Sequence, residues 1–527
     1  MTSLDRHNGP EKGPTASPLA SAPQTKTTST ARGKETGPWL GHLDDTPLIR
    51  DLVTRGRDPS SYQRWADQVA HTGYCSHPIR LSGEVLDVDP ETGECRVVYS
   101  TGDEPDGTLL VACGNRRDTR CPSCSWTYRG DAFQLVTAGL RGGKGVPDTV
   151  AAHPTLFVTL TAPSFGRVHS RREREGKVQR CSQTRGPRPR VCRHGVKLVC
   201  SSKHAEDDKL LGQPLCRDCF DYDGAVLWNV LASQLWKRTP SRIVRQLAAL
   251  TCKTVRQLEQ QLRLAFVKVG EVQNRGLVHF HAILRLDTRP PKIAPGLVLP
   301  PPVEFTIELL ARAVRGAIPK IAAKARPAPD GRVFEARWGS QLDVQVIQFD
   351  QDEKLTAEVV AAYVSKYATK QPEMLSGLDR RIRCEGDIEV LGLNDHLRRM
   401  IATTWRLGDV KHLQDLKLRL WAHQLGFRGH WLTKSRRYST TFTALRQARL
   451  AYRRAQEDGD TATVAVWSAE VKQGARRRSG SWRFCGAGYR THADAWLADT
   501  ARRRTQEGRR ALREERARAR HGEDSHG

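Results

Sequence analysis

The sequence predicts an α+β fold in which an antiparallel sheet, covered by helices, holds a metal site. Three observations support this prediction. Residues 266–286, FVKVGEVQNRGLVHFHAILRL, have the alternation and the central turn of a β-hairpin. Residues 360–370, VAAYVSKYATK, have helical spacing and end shortly before Pro372. Thirteen cysteines, several at the spacing of zinc ligands, indicate metal-stabilised modules beside the sheet.

The charge of the chain indicates a polyanionic partner. Its 527 residues include 85 Lys and Arg against 58 Asp and Glu, which gives a net charge of +27. Such an excess favours nucleic acid, the commonest polyanion inside a cell. The N-terminal sequence has no apolar region typical of a secretory signal, and no run approaches the ~20 apolar residues of a membrane-spanning helix. We therefore expect a soluble, cytoplasmic protein with no membrane partner.

Composition divides the chain into segments. The start is rich in Pro, Ser, Thr and Lys, which is typical of disorder, and the end is rich in Arg. The expected order is a disordered tail at 1–60, a zinc-binding module at 61–150, a sheet domain at 151–375 interrupted by a second zinc module at 181–222, a helical DNA-binding domain at 376–490 and a basic tail at 491–527.

The first cysteine set includes a Cys-x2-Cys motif, Cys121 to Cys124, whose spacing is typical of zinc ligands. Cys113 precedes it, before a basic turn. A tetrahedral site needs a fourth ligand, and Cys75 is our choice, with the nearby His77 as the alternative. A buried pair of cysteines without metal is the other interpretation of the motif.

The second cysteine set follows the apolar stretch 155–162, which we expect to be the first core strand of the sheet. Six side chains compete there for the four positions of a zinc site. Because soft thiolates suit zinc best, we select the cysteines, while His194 or His204 could replace one of them. The predicted ligands are Cys192, Cys200, Cys216 and Cys219.

The hairpin at 266–286 is the predicted site of a divalent metal. Asn274, Arg275 and Gly276 fit a three-residue loop, and pairing across it places Glu271 opposite His279. His279 and His281 are two residues apart on a strand, so both side chains leave the same face. One carboxylate and two imidazoles can hold a divalent ion with positions left open for substrate oxygens. Two structural strand histidines are the alternative.

A helix is predicted next, beginning near Thr356. Tyr363, Lys366, Tyr367 and Lys370 share one face, since they are separated by three or four residues. A tyrosine with its ordinary pKa of about 10 is a poor nucleophile, and a nearby cation or metal would activate it. A solvated face of an amphipathic helix is the simpler interpretation.

The C-terminal third contains amphipathic helices and the stretch GHWLTKSRRYSTTFTALRQARL. Cations and hydroxyls together suit phosphate contacts, and aromatic side chains suit base stacking. A solvated face around a small helical core would have a similar composition. Beyond Arg502, the excess of basic residues would bind phosphate without sequence preference.

Taken together, the motifs resemble those of the HUH endonucleases. His279-Phe280-His281 matches the histidine motif of that family, and Val360-x-x-Tyr363-Val364-x-Lys366 matches its tyrosine motif. The order and spacing are similar to those of rolling-circle replication initiators. Longer phrases, such as ACGNRRDTRCPSC and PLCRDCFDYDGAVLWN, resemble initiators of actinobacterial plasmids and integrative elements over roughly residues 70–500.

The resemblance implies an antiparallel-sheet HUH nuclease at 151–375 that binds origin DNA, single-stranded or as supercoiled duplex. Mg²⁺ or Mn²⁺ would be held by His279, His281 and Glu271, and zinc would be structural. Tyr363 would attack the phosphate, and Lys366 would stabilise the phosphate charge or lower the tyrosine pKa. Tyr367 would act as a second nucleophile, or would pack on the sheet and only orient Tyr363. The released 3′-hydroxyl would prime host DNA polymerase. No ATP-binding Gly-x4-Gly-Lys-Ser/Thr loop is present in the sequence, so a host helicase is expected.

Two other functions agree with the same residues. A relaxase or transposase would use identical chemistry for strand transfer, so the catalytic motifs do not separate it from an initiator. A zinc-containing DNA-binding regulator with an inactive nuclease site is the second, although intact Tyr363, Lys366 and histidine motifs argue against it.

Overall fold

The protein combines α-helices with antiparallel sheets, as the sequence predicts. The computed structural model describes residues 46–89, 92–182, 190–291, 297–323, 326–327, 331–347, 356–369, 381–457 and 477–523. The helices are α1 (Pro47–Gly56), α2 (Pro59–His71), α3 (Pro122–Arg141), α4 (Tyr222–Leu250), α5 (Val255–Gln261), α6 (Ile307–Ala317), α7 (Ala357–Thr369), α8 (Glu385–Glu389), α9 (Asp395–Leu407), α10 (Phe442–Glu457) and α11 (His492–Glu523). The strands are β1 (Ile79–Val88), β2 (Cys95–Ser100), β3 (Leu109–Val111), β4 (Thr155–Leu160), β5 (Arg172–Arg174), β6 (Lys177–Gln179), β7 (Leu262–Val272), β8 (Val278–Thr288), β9 (Arg326–Pro327), β10 (Val333–Phe334), β11 (Leu342–Val346), β12 (Leu432–Lys434) and β13 (Arg477–Ala487).

The chain forms two compact units whose boundaries differ from the predicted ones. The first unit comprises the described residues of Met1–Val85, Val97–Val111 and Gly480–Gly527. The second comprises those of Leu86–Arg96 and Ala112–Ser479. Composition predicted segments that are each continuous along the chain. The first unit instead combines segments from the N-terminal and the C-terminal parts of the chain.

The first unit contains a sheet of order β13-β1-β2, with β3 paired to β1. Its small core joins Trp65 and Val69 of α2 to Ala498 of α11. Arg55 of α1 also donates to Asp494 of α11 over 2.8 Å. The predicted separate basic tail at 491–527 is therefore wrong for the start of α11, which packs against the N-terminal helices.

The predicted disorder of residues 1–60 is wrong where the structure describes this part of the chain. Helix α1 begins after Thr46, whose hydroxyl accepts from the amide of Ile49, and α2 begins after Asp58, whose carboxylate accepts from the amide of Ser60. Each helix has Pro in its first turn, where a missing amide proton costs nothing. Residues 1–45 lie outside the described residues.

The second unit is organised around a five-stranded antiparallel sheet of order β11-β4-β8-β7-β12. Strand β4 is buried along its whole length, and its position confirms the predicted first core strand. Strand β8 is its neighbour on one side, and β11 is its neighbour on the other. The hairpin strand β8 is therefore central and covered on both faces.

The two faces of this sheet differ in chemistry. On one face, Phe280 of β8 packs with Trp236 of α4, Trp338 and Phe427, and α6 extends the same core. Side chains alternate along a strand, so His279 and His281 lie on the opposite face. Helices α3 and α7 pack together there, and α7 contacts β7.

A module of loops and short strands is inserted between β4 and α4. The backbone of His169 is paired with Gly212 and Gln213 by hydrogen bonds of 2.8–2.9 Å, which closes the module on itself. Among its described residues, the buried apolar side chains other than cysteine are Ala162, Leu211, Pro214 and Phe220. The module has too little apolar surface to form an ordinary core.

The predicted separate helical domain at 376–490 is wrong where the structure describes it. Strand β12 pairs with β7 at the edge of the five-stranded sheet, and α9 packs on α4. Strand β13 belongs instead to the sheet of the first unit. Within the described residues, no helix is both long and apolar enough to cross a membrane.

A buried ionic cluster fixes the end of β8 distant from the hairpin loop. Arg285, which is fully buried, donates to Asp287 through Nε over 2.7 Å and Nη2 over 3.1 Å, and His153 Nδ1 lies 2.8 Å from the same carboxylate. Burial alone would raise the pKa of Asp287, but the hydrogen bonds from His153 and Arg285 outweigh it and lower the pKa.

We predict that Asp287→Asn destabilises the protein by about 3–5 kcal/mol at neutral pH, because Arg285 would keep a buried charge without its counter-ion. The pKa of Asp287 in the folded protein is below its ordinary value. The ionised carboxylate therefore contributes its full stabilisation above about pH 4, and this contribution is lost as the pH falls through the folded-state pKa. Urea unfolding at several pH values measures the free energy of unfolding of the wild type and the variant. Glu173 forms an ion pair with Arg171, and the two side chains are 37% and 25% exposed, respectively. Glu173→Gln is therefore the control and should cost less than about 1 kcal/mol. Equal losses in both variants would contradict the prediction.

Candidate functional site

The hairpin loop between β7 and β8 sets the register of the site. The amide of Gln273 donates to the carbonyl of Leu277 over 2.9 Å, which leaves Asn274, Arg275 and Gly276 as the loop. Gly276 has φ of 75°, a conformation that glycine adopts without strain. The predicted pairing of Glu271 with His279 is confirmed.

Glu271, His279 and His281 converge as the sequence predicts. One ligand atom from each lies within 4.8 Å of the others. The two imidazole rings are 4.4 Å apart between centroids, and Glu271 Oε1 is 3.9 Å from His281 Nε2. Two imidazoles and one carboxylate on one side of an ion form a donor set suited to divalent metals with open positions.

Neighbouring polar groups orient both imidazoles. The hydroxyl of Thr159 lies 3.2 Å from His281 Nδ1, so that Nε2 of this ring faces Glu271. The side-chain amide of Gln273 lies 3.3 Å from His279 Nδ1. Partners at the second ring nitrogen are the usual means of fixing a metal-binding histidine.

Burial keeps both imidazoles neutral. It lowers the pKa of His279 to about 3, with a further decrease from His281 that exceeds the opposite effect of Glu271. Burial also lowers the pKa of His281 to about 3, against a smaller opposite effect of Asp343. The neutral ring is the form that donates an electron pair to a metal, so neither histidine needs to lose a proton at physiological pH.

Helix α7 places two tyrosines over this patch. The hydroxyl of Tyr363 lies 3.1 Å from His281 Nε2. The ring of Tyr367, one turn later, is 4.5 Å from the ring of Tyr363 and 5.8 Å from that of His281. Phe157 of β4 stacks on His281 and meets the edge of Tyr363, which fixes both rings.

The structure describes one of the two lysines predicted on this helix face. Lys366 is exposed and precedes Tyr367 in the chain. Lys370 lies outside the described residues. Helix α7 begins after Thr356, whose hydroxyl accepts from the amide of Val359, close to the predicted start.

Two further residues of the site did not emerge from the sequence. Asp343 of β11 is paired with Thr159, which is paired in turn with His281, so its carboxylate approaches the site from the far side of β4. Arg275 is largely buried and donates to the carbonyls of Ala162 and Pro163 over 2.9 and 3.0 Å. An arginine in a tight hairpin loop is the signal that could have identified its role.

The first cysteine set lies partly in the second unit. Cys113, Cys121 and Cys124 belong there, and the sulfurs of Cys113 and Cys124 are 3.7 Å apart. Cys121 immediately precedes α3, and Cys124 lies in its first turn. Cys75 is buried in the first unit, and the exposed His77 follows it, so their part in this set stays a prediction.

The second cysteine set differs from the prediction at one position. His194 Nδ1 lies 3.2 Å from Cys219 Sγ, 3.6 Å from Cys216 Sγ and 3.9 Å from Cys192 Sγ, and the four form one group of possible metal ligands. The predicted ligand Cys200 lies elsewhere, against His204. The selection of four cysteines was based on thiolate preference, without information on which chain segments meet. His194, which the sequence left open as a replacement, is the fourth member of the group.

Comparison with known proteins supports the resemblance to replication initiators. The profile of the family described as "Replication initiator protein, pSAM2" matches residues 61–503. A "Replication initiator protein" from Streptomyces ambofaciens is 41% identical over 489 residues, which cover 90% of this chain and 96% of that protein. No solved structure matches the chain at a significant level.

We predict that Arg275→Lys weakens the hairpin loop. Three separate guanidinium nitrogens donate to the two carbonyls and to the side chain of Gln273, and the single ammonium nitrogen of lysine cannot reach all three acceptors. Each charged hydrogen bond contributes about 1.5–3 kcal/mol, so a loss of at least that size is expected in urea unfolding. Faster hydrogen exchange at the amides of Gln273 and Gly276 should accompany it. The exposed Arg428→Lys is the control and should behave as wild type. Unchanged exchange in the loop would contradict the role of Arg275.

Proposed function

Since this chain belongs to the pSAM2 replication initiator protein family, we propose that it starts replication by nicking one strand of origin DNA through a phosphotyrosine, in the manner of a rolling-circle initiator. The observation on which this depends is the position of the Tyr363 hydroxyl, 3.1 Å from His281 Nε2 and beside Glu271 and His279. The proposed nucleophile on α7 then lies directly beside the metal-ligand set on the sheet.

The three side chains fit a catalytic divalent ion. Glu271 supplies a hard oxygen ligand, and His279 and His281 supply neutral nitrogens, a set that suits Mn²⁺ or Mg²⁺ with vacant positions for phosphate oxygens. When bound, such an ion polarises the scissile phosphate as a Lewis acid. The sheet holds the ligands in place, and burial keeps the imidazoles neutral.

Tyr363 is the proposed nucleophile. Its oxygen would attack phosphorus, the bond to the 3′-oxygen would break, and the 5′-phosphate would remain joined to the tyrosine while the 3′-hydroxyl leaves. The phenol proton passes to solvent, and Lys366 offers a cation to the phosphate from the exposed side of α7. Attack of a 3′-hydroxyl on the phosphotyrosine reverses the reaction, so rejoining needs no ATP.

The partners follow from this chemistry. Origin DNA, single-stranded or as supercoiled duplex, would be held by basic residues, of which the chain has a large excess. The 3′-hydroxyl is a primer for a host DNA polymerase. The sequence has no ATP-binding loop of the Gly-x4-Gly-Lys-Ser/Thr type, so strand separation is assigned to a host helicase.

Structural zinc is proposed at both cysteine sets, with one change of ligand. Cys113, Cys121 and Cys124 would fix the start of α3, and Cys75 stays the predicted fourth ligand. In the inserted module, Cys192, His194, Cys216 and Cys219 form a Cys3His set.

Different observations separate the two other functions from replication initiation. A relaxase or transposase would nick by the same chemistry, but the 41% identity to a replication initiator over 90% of the chain favours initiation. An inactive regulator would bind the origin without cleaving it. A cleavage assay on a single-stranded origin oligonucleotide with Mn²⁺ distinguishes the regulator from the nuclease.

We predict that His279→Ala combined with His281→Ala abolishes cleavage but retains most DNA affinity, because phosphate contacts are distributed over many basic residues and metal ligands are few. Cleavage over a Mn²⁺ titration, and affinity by fluorescence anisotropy in chelator, measure the two properties. The exposed His412→Ala is the control and should cleave as wild type.

Within the same experiment, Glu271→Gln should raise the Mn²⁺ concentration needed for half-maximal cleavage while preserving some activity. Wild-type cleavage by the double histidine variant would refute the metal site. An unchanged Mn²⁺ requirement of Glu271→Gln would remove the carboxylate from it.

The second tyrosine can be tested separately. If Tyr367 alternates with Tyr363, each single Phe variant should retain some covalent DNA adduct in a single-turnover assay, and the double variant should retain none. The ring separation of 4.5 Å supports alternation, because either hydroxyl could approach one phosphate. Peptide mapping identifies the modified tyrosine, and Tyr62→Phe, in the first unit, is the control. Complete loss in Tyr363→Phe with normal joining in Tyr367→Phe would leave Tyr363 as the single nucleophile.

A further inference from the structure

The inserted module contains a second group of possible metal ligands. His169, Cys181, Cys200 and His204 each offer one ligand atom, and the four atoms lie within 4.8 Å of one another. None of them belongs to the group formed by His194 and its three cysteines. We propose that this group is a second zinc site of the module, with Cys2His2 ligands.

The distances within the group match a tetrahedral zinc site. Zinc lies about 2.0–2.1 Å from nitrogen and about 2.3 Å from sulfur, which places neighbouring ligand atoms of a tetrahedron about 3.3–3.8 Å apart. His169 Nδ1 is 3.2 Å from His204 Nε2, and Cys200 Sγ is 3.5 Å from the same nitrogen. Both distances are close to the spacing that zinc imposes on neighbouring ligands.

A carboxylate fixes the tautomer that zinc needs. His204 Nδ1 donates to Asp208 Oδ2 over 2.6 Å, so the electron pair of Nε2 faces His169 and Cys200. The other oxygen of Asp208 accepts from the amide of Leu210 over 2.9 Å, which holds the carboxylate in position. A carboxylate behind a histidine is the usual support of a zinc ligand.

The sulfur ligands have surroundings suited to thiolates. Cys181 is 1% exposed, and its sulfur accepts from the amide of Ser170 over 3.3 Å. The amide of Cys181 donates to Ser202, and that of Ser182 donates to Cys200, so these two stretches pair as short antiparallel segments. The pairing brings the two cysteines to the same place from positions 19 residues apart in the chain.

The position of the group explains what zinc would do there. The stretch around His169 pairs with residues 212–213, and the stretch around Cys181 pairs with residues 200–202. Leu211 and Phe220 provide little apolar core among the described residues of the module. The ligands come from three of these stretches, around His169, around Cys181 and at 200–204, so a bound ion would cross-link them. The Cys3His group would fix the other part of the module.

Zinc content of the full-length protein tests the proposal without any DNA or cleavage. Purified from zinc-supplemented cells, Cys200→Ser and His204→Ala should each contain one zinc ion per chain less than wild type by elemental analysis. Cys384→Ser, an exposed cysteine outside both groups, should contain the wild-type amount. Unchanged zinc in folded Cys200→Ser would refute the site and leave a hydrogen-bonded cluster of histidines and cysteines.

Two milder variants keep the test decisive if those proteins do not fold. His169→Cys preserves four ligands, so it should retain its zinc, and after cobalt substitution it should show stronger thiolate-to-cobalt absorption than wild type. Asp208→Asn should lose one zinc ion to a chelator about 10–100-fold more readily, because only the support of His204 changes. Wild-type cobalt absorption in His169→Cys together with wild-type chelator resistance in Asp208→Asn would overturn the proposal.

Discussion

The pairing of Glu271 with His279 across the β7–β8 hairpin is the constraint on which the rest of the site depends. Because side chains alternate along a strand, a slip of one residue would turn His279 and His281 toward the core that contains Phe280 and Trp236. The loop prevents this slip. Gly276 takes the positive φ that the turn requires, and Arg275 ties the loop to the carbonyls that follow β4. The ligand set is thus a consequence of turn geometry as much as of ligand chemistry.

The tyrosine helix depends on a second support, which comes from the first cysteine set. Helix α3 starts directly after Cys121 and packs against α7. Arg116, in the basic turn between Cys113 and Cys121, donates to the carbonyl of Ala368 in the last turn of α7 over 3.2 Å. Burial lowers the pKa of Arg116 to about 10, and it remains charged at neutral pH, where a cation is favourable beside the carbonyl end of a helix. A metal at this set would therefore help to fix the tyrosines over the histidines.

Sequence alone predicted the features that depend on local periodicity. The hairpin, its register and the shared face of Tyr363 and Tyr367 follow from spacings of two and of three or four residues, and the structure has all three. Features that depend on distant segments were not predictable in this way. The choice of His194 over Cys200 depends on how the inserted module closes, and the packing of α11 against α2 joins the two ends of the chain. No spacing within a short window contains that information.

The inserted module contacts the β7–β8 hairpin directly. Gly212 has φ of 83°, and a Cβ atom there would lie 2.3 Å from the backbone carbon of Asn274, so the module backbone packs tightly on the hairpin loop. The same Gly212 is hydrogen-bonded to the backbone of His169, whose side chain belongs to the proposed Cys2His2 group. A loop that must hold Glu271 against His279 is thereby supported from outside by a segment that zinc would make rigid.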